Sequence, residues 1–134
     1  MLDLDIDVVD ACWRALKDSY PRIVVTSEEL RGTATFPTVF IWEIQNEVNR
    51  NTLDSSQDEI HSRIGYEAQV YSDKVTGGRA EVRDIVSRMD KAMSELGFVR
   101  IMSNPLPNQA DGAITRHIAR WRALVSKDKV TYRR

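Results

Sequence analysis

Few side chains in this sequence could act as nucleophiles, bases or metal ligands. The chain has one cysteine, Cys12, and two histidines, His61 and His117, which lie far apart along it. Neither histidine belongs to an HExxH helix or lies near a second cysteine, which are spacings typical of zinc sites. Apolar neighbours predict that Cys12 is a buried structural thiol, and we expect both histidines on strand surfaces. The sequence therefore predicts neither a metal site nor a nucleophile–base pair.

Motifs for phosphate binding and for general acid–base catalysis are weak in this chain. Gly77-Gly78 precedes a predicted helix whose N-terminus could hold an anion, but the spacing of a phosphate-binding loop is missing and a turn is favoured. Asp54 and Asp58 fall in a polar segment, where no burial would shift a carboxyl pKa. Glu81 and Asp84 fall on a solvated helix face. We therefore predict no enzyme activity and no cofactor.

Charge is distributed unevenly along the chain, although the formal net charge is only −1. The first ten residues contain four aspartates and no basic residue, whereas residues 114–134 contain seven Lys or Arg side chains and one acid. Such asymmetry can provide a binding surface for a nucleic acid, for a partner of opposite charge or for a second copy of the chain. The candidate residues for a subunit or partner interface are Asp3, Asp5, Asp7, Asn51, Asp54, Asp58, Arg116, Arg120, Arg122, Lys127, Lys129, Arg133 and Arg134.

Nucleic-acid binding is the alternative that the basic residues raise. Arg116, Arg120 and Arg122 share one face of the last predicted strand, and such a stripe could contact phosphates. The sequence pI of about 6.1 and the lack of a basic recognition helix favour a solvated or interfacial strand face instead. Trp42 and Trp121 lie on the apolar faces of their strands, which predicts core positions rather than stacking platforms.

Two helices follow from the hydrophobic periodicity of the sequence. The first is predicted over residues 5–20, ending before Pro21, with its buried face formed by Ile6, Val9, Trp13, Leu16 and Tyr20. The second is predicted from Gly78 to Leu96, with Gly97 as the glycine that ends it. Its buried face is predicted to contain Val82, Ile85, Val86, Met89 and Met93.

Alternating or β-branched segments predict about five strands, at 22–26, 38–45, 60–72, 98–103 and 114–125. In the second of these, Phe40, Trp42 and Ile44 are predicted to form the buried face. The sum is one α+β domain over 1–134, with a mostly antiparallel sheet and both helices packed on one face. Residues 46–58 are predicted as a mobile hairpin loop, 104–112 as a linker and 126–134 as a basic tail.

No segment approaches the length of about 20 apolar residues that a membrane span needs, so we expect no membrane contact. The acidic N-terminus also lacks the basic region of a secretory signal, which predicts a cytoplasmic protein.

Several segments together resemble the tail terminator or tail completion proteins of long-tailed bacteriophages, and the order of the predicted elements is similar as well. The resemblance spans most of residues 37–134. It rests on Pro37-Thr38-Val39-Phe40-Ile41, Tyr66-Glu67-Ala68-Gln69-Val70-Tyr71-Ser72, Gly77-Gly78, Met93-Ser94-Glu95-Leu96-Gly97-Phe98, Asn104-Pro105-Leu106-Pro107-Asn108 and Ala119-Arg120-Trp121-Arg122-Ala123.

The resemblance implies a structural virion protein that is assembled in the bacterial host cytoplasm. Such proteins form a ring, usually a hexamer, at the head-proximal end of the tail tube, where the ring ends tube polymerisation and joins the neck. The implied partners are other copies of the chain, the tail tube protein and the neck or connector proteins, while DNA passes through the lumen without specific binding. A head–tail joining role in the neck is the alternative within the same group, and no catalytic residues are implied.

Overall fold

The strands of this protein form one sheet, and the two helices pack against one of its faces. The structure is a computed structural model that describes residues 4–27, 36–48, 61–74, 76–106, 114–126 and 131–132. Its elements are α1 (Asp5–Leu16), β1 (Val24–Thr26), β2 (Thr38–Val48), β3 (His61–Ser72), α2 (Gly78–Glu95), β4 (Val99–Leu106), β5 (Thr115–Ser126) and β6 (Thr131–Tyr132).

The order of strands across the sheet is β1-β2-β3-β5-β4, and the short strand β6 pairs with the end of β5. Only the β1–β2 pair is parallel, since every other pair in the described chain is antiparallel. Helix α1 packs on β1, β2 and α2, whereas α2 packs on β3, β4 and β5. This confirms the predicted α+β class, a mostly antiparallel sheet of about five strands with two helices on one face.

The core lies between the helices and one face of the sheet. Residues of β3 and β5 alternate between this face and the opposite face, which we call the open face. The helix side receives the buried row of Ile64, Tyr66, Ala68 and Val70 from β3 and of Ala119, Trp121, Ala123 and Val125 from β5. Trp121 is therefore a core residue, as predicted, and its indole N–H donates to Asp90 Oδ1 on α2 at 3.0 Å.

Helix α2 buries the face that its periodicity predicts. The predicted residues Val82, Ile85, Val86, Met89 and Met93 are all buried. At its end Gly97 has a φ of 94°, where a residue without Cβ is unstrained. The amide of Gly97 donates to the Ser94 carbonyl and that of Phe98 to the Met93 carbonyl, both at 2.9 Å, which is the Schellman arrangement.

Helix α1 differs from its prediction in both length and orientation. It ends at Leu16 rather than at residue 20, and its buried residues are Val8, Cys12 and Leu16. Ile6 and Trp13, which the periodicity placed in the core, are exposed. The predicted row and the observed row of apolar side chains both have helical spacing. The helix buries the row of Val8, Cys12 and Leu16, which repeats every four residues. Cys12 is buried as predicted, and burial raises the pKa of its thiol to about 12.

Strand β2 is rotated relative to its prediction. Val39 and Ile41 face the helices and are buried, whereas Phe40 and Trp42 lie half-buried on the open face. Trp42 is therefore not a core residue. Both rows are apolar, so alternation alone does not decide which row points inward. A bulge between Glu43 and Gln45 shifts the pairing of β2 with β3.

Three predicted loop boundaries are corrected by strand pairing. Residues 46–48 continue β2 against β3, so the predicted 46–58 loop begins later; residues 49–60 lie outside the described chain. Residues 104–106 extend β4 into the predicted linker, where Pro105 is tolerated because β4 is an edge strand. Within the predicted tail, Thr131 and Tyr132 pair with Val125 and Leu124 as β6.

Replacing Gly97 by alanine should lower the free energy of unfolding by about 1 kcal/mol, because alanine is strained at positive φ. Urea unfolding followed by far-UV circular dichroism measures this change. Ser87→Ala, at an exposed site within the same helix, is the matched control and should not destabilise the protein. Equal stability of Gly97→Ala and wild type would contradict this account of the helix end.

Candidate functional site

A serine and a histidine come together on the helix side of the sheet, although the sequence predicts no nucleophile–base pair. Ser103 on β4 and His117 on β5 place Oγ and Nε2 2.7 Å apart. His117 is only 4% exposed, so the prediction of a surface histidine is wrong. The reason is that β5 turns this side chain toward the helices, together with the buried row of Ala119 and Trp121. The side chain of His61 lies outside the described part.

The environment of His117 keeps its imidazole neutral. Burial lowers the pKa of His117, and the nearby positive charges of Arg83 and Arg100 lower it further. Nδ1 of His117 is buried and has no hydrogen-bond partner among the described residues. A nucleophilic serine needs its base oriented by a third group on that nitrogen. We therefore interpret the Ser103–His117 contact as a cross-strand hydrogen bond that attaches the edge strand β4 to β5.

The arginine row predicted on the last strand lies on the open face, but two of its members are engaged there. The Nε–H of Arg120 donates to Glu67 Oε1 at 2.7 Å, and Glu67 itself is buried. The guanidinium of Arg116 lies 5.5 Å from the centre of the Tyr71 ring. Arg122 is exposed. Arg116 and Arg120 thus make contacts within the sheet, so the row is not a uniform stripe of charge that is available to a ligand.

Aromatic side chains lie beside this row on the open face. The rings of Phe40 and Trp42 are in contact, with centroids 4.5 Å apart and an interplanar angle of 38°. Trp42 pairs in register with Glu67, which pairs in turn with Arg120. The open face therefore combines apolar and basic groups around one ion pair, in which the Glu67 carboxylate is buried and Arg120 is partly exposed.

The acidic residues predicted at the N-terminus do not all act alike. The hydroxyl of Tyr66 donates to Asp5 Oδ1 at 2.5 Å, so Asp5 attaches the start of α1 to the sheet. Asp7 is exposed. The remaining predicted interface residues lie outside the described chain; they are Asp3, Asn51, Asp54, Asp58, Lys127, Lys129, Arg133 and Arg134.

Ile44, predicted on the buried face of its strand, is 44% exposed, and the other large exposed apolar side chains of the described residues fall into two groups. On α1, Ile6 is 83% and Trp13 43% exposed; with Asp7 and Asp10 we call this group the α1 patch. On β4, Val99 is 39% and Ile101 50% exposed. Together with Arg63 and Arg122, these two residues form what we call the β4 patch.

Each patch borders a hollow in the surface. A hollow of about 360 Å³ lies between α1 and β1, and its lining includes Ile6, Trp13 and Val25. The β4 patch borders a hollow of about 280 Å³ whose lining includes Val99 and Arg122. A larger groove of about 870 Å³ runs between the two helices over Leu4 and Phe98. Neither Ser103 nor His117 lines any of these three.

Within the described ranges, no group of three or more histidine, cysteine, aspartate or glutamate side chains is placed to hold a metal ion. Neither described helix has both the length and the apolar character needed to span a membrane. No protein-family model matches this chain, and no curated protein matches it.

The buried neutral state of His117 makes stability depend on pH. Its pKa in the folded protein lies below the ordinary value of 6.5, so the unfolded chain binds the proton more readily. The free energy of unfolding should keep its full value above about pH 6.5. It should decline as the pH falls below that value, and the decline should level off once the pH is below the pKa of His117 in the folded protein. Thermal unfolding between pH 5 and pH 8 measures the decline.

The variant His117→Gln should flatten this pH dependence, because glutamine does not titrate. His61→Gln is the matched control for loss of a histidine and should keep the dependence. A wild-type profile that is flat below pH 6.5, or unchanged in His117→Gln, would contradict the buried neutral state.

Proposed function

We propose that this chain is a structural subunit that assembles into a ring at the head-proximal end of a phage tail, where the ring ends tube polymerisation and joins the neck. The observation that carries the proposal is the presence of two different exposed apolar patches on one rigid body. It is supported by the resemblance of residues 37–134 to tail terminator proteins and by the predicted α+β order of elements, which the fold follows.

A ring requires two unlike surfaces on each subunit. In a head-to-tail contact, one surface of each copy binds the other surface of the next, whereas a twofold dimer uses the same surface twice. The α1 patch lies beside β1, at one edge of the sheet, and the β4 patch lies at the opposite edge. Five strands at the usual spacing separate these edges by roughly 19 Å. Contacts on opposite sides let a subunit bind two neighbours at once.

A ring subunit also needs a rigid body that fixes the distance and the orientation between the two patches. The three long strands β2, β3 and β5 pair along most of their lengths, and the core beneath them is continuous. Just beyond the end of α1, the Tyr20 hydroxyl donates to Asp84 Oδ2 on α2 at 2.5 Å, and Arg88 of the same helix donates its Nε–H to that oxygen at 2.9 Å. The Tyr20 contact attaches the segment that follows α1 to α2.

In this proposal the remaining surfaces of the ring bind the tail tube protein on one side and the neck or connector proteins on the other. DNA passes through the lumen without specific binding. A head–tail joining role would use the same ring in the neck, and the two roles differ only in whether the ring binds the tube end.

The purified protein should form rings of uniform subunit number, six copies being the expectation. Sedimentation velocity over a range of concentrations, with negative-stain electron microscopy, measures this. Added to polymerising tube protein of the corresponding phage, the rings should shorten the tubes and lie at one end of each. A chain that stays monomeric at every concentration and does not bind tubes or neck proteins would contradict the proposal.

Nucleic-acid binding is the second candidate, favoured by the arginine row lying on the same open face as Phe40, Trp42 and Tyr71. Single-stranded nucleic acids bind such combinations of basic and aromatic side chains. Binding of this kind should weaken steeply with salt and fall in the variant with Arg116, Arg120 and Arg122 all replaced by alanine. Fluorescence anisotropy with labelled oligonucleotides measures it. An affinity unchanged in that variant would exclude this candidate.

A further inference from the structure

We infer that the α1 patch of one copy of this chain docks on the β4 patch of the next copy. The inference rests on the proposed ring and names the two surfaces that form its subunit contact. It is carried by the position, exposure and charge of the two patches.

The α1 patch has the features of an anchor beside a hollow. Ile6 and Trp13 project from the face of α1 that does not pack on the sheet, and Val9 and Val25 help to line the hollow beside them. Large apolar side chains exposed together in this way favour burial against a partner. A tryptophan at the edge of a hollow is also the residue type most often found at the centre of binding surfaces.

The α1 patch is acidic around its N-terminal half. Asp5 and Asp10 line the hollow beside Ile6, Asp7 follows Ile6 in the chain, and Arg14 and Lys17 come at the other end of the helix. Asp10 forms an ion pair with Arg14 at 3.0 Å, and Lys17 Nζ lies 5.0 Å from the Trp13 ring centre. The negative charge of the patch is therefore concentrated at Asp5 and Asp7 in the first turn, where it also matches the helix dipole.

The β4 patch has the opposite charge and a similar apolar centre. Val99 and Ile101 lie at the outer edge of the sheet, and a bulge between Arg100 and Met102 sets Ile101 apart from the regular pairing. Arg63 and Arg122 line the same hollow as Val99. Arg100 pairs in register with Trp121 and contacts Asp90 on α2 at 3.5 Å, so it lies on the helix side of the sheet and is not part of this patch.

The α1 patch and the β4 patch complement each other in charge, and both have an apolar centre. Two β4 patches would bring arginines together, which is repulsive. Two α1 patches in a twofold contact would leave both β4 patches exposed to water. An α1 patch against a β4 patch joins opposite charges around apolar centres that both become buried. The occupant of each patch is therefore the other patch of a second copy, and repetition of this contact gives a head-to-tail assembly.

The test uses one variant for each patch, Ile6→Asp and Ile101→Asp, and Ser87→Asp on the exposed face of α2 as the matched control. Ser87→Asp should assemble like wild type. Each patch variant alone should be monomeric by sedimentation velocity, because it lacks one half of the contact. An equimolar mixture should form a species of two chains and nothing larger, because one intact patch of each kind is left.

The outcomes separate this inference from the proposed ring. Rings that persist in both patch variants would overturn the inference and leave the ring proposal standing. A mixture that gives no two-chain species, although both variants are folded by circular dichroism, would also overturn it. A wild-type chain that is monomeric at every concentration would overturn both.

A charge-reversal pair keeps the test decisive if an aspartate variant fails to fold. Asp7→Lys and Arg122→Glu change exposed side chains at the two patches. Each change alone should weaken assembly at least tenfold, and the chain carrying both should regain a large part of it. No difference between the single and double variants would contradict the pairing of these two surfaces.

Discussion

The pairing of β3 with β5 is the constraint on which the rest of this structure depends. The two strands match without a break from His61 opposite Ser126 to Ser72 opposite Thr115. Because side chains alternate along both strands, this single register decides which residues meet the helices and which meet the open face. A shift by one residue would bring Arg120 and Arg122 into the core and put Trp121 outside. The core, the arginine row and the position of His117 all follow from it.

The sequence predicts most of the fold because most of its patterns have only one solution. Helix α2 has one apolar face and a glycine at its end, and β5 has one row of arginines that a core would not accept. Where a segment carries two apolar rows, as α1 and β2 do, periodicity alone does not select one. The choice depends on contacts with distant residues, such as Tyr66 with Asp5, which no local pattern reveals.

The candidate site is predicted less well than the fold, for a related reason. Ser103 and His117 meet only because β4 returns along β5 with a bulge near its start, and that offset is not readable from spacing. Arg116, Arg120 and Arg122 were placed correctly on one face, but the sequence does not reveal that Glu67 binds Arg120. Several of the acidic and basic candidates lie outside the described residues.

The exposed α1 patch offers a physical reason why periodicity predicts the wrong buried face for α1. Ile6 and Trp13 look like core residues because they are apolar and helically spaced, yet the folded chain exposes them. Local patterns that disagree with the fold are expected where a sequence meets a second requirement besides folding. An exposed isoleucine and tryptophan do not stabilise a monomer, whereas burial against the next subunit would remove their apolar surface from water. Val99 and Ile101 are exposed at the opposite edge, and burial against the next subunit would remove their apolar surface from water in the same way.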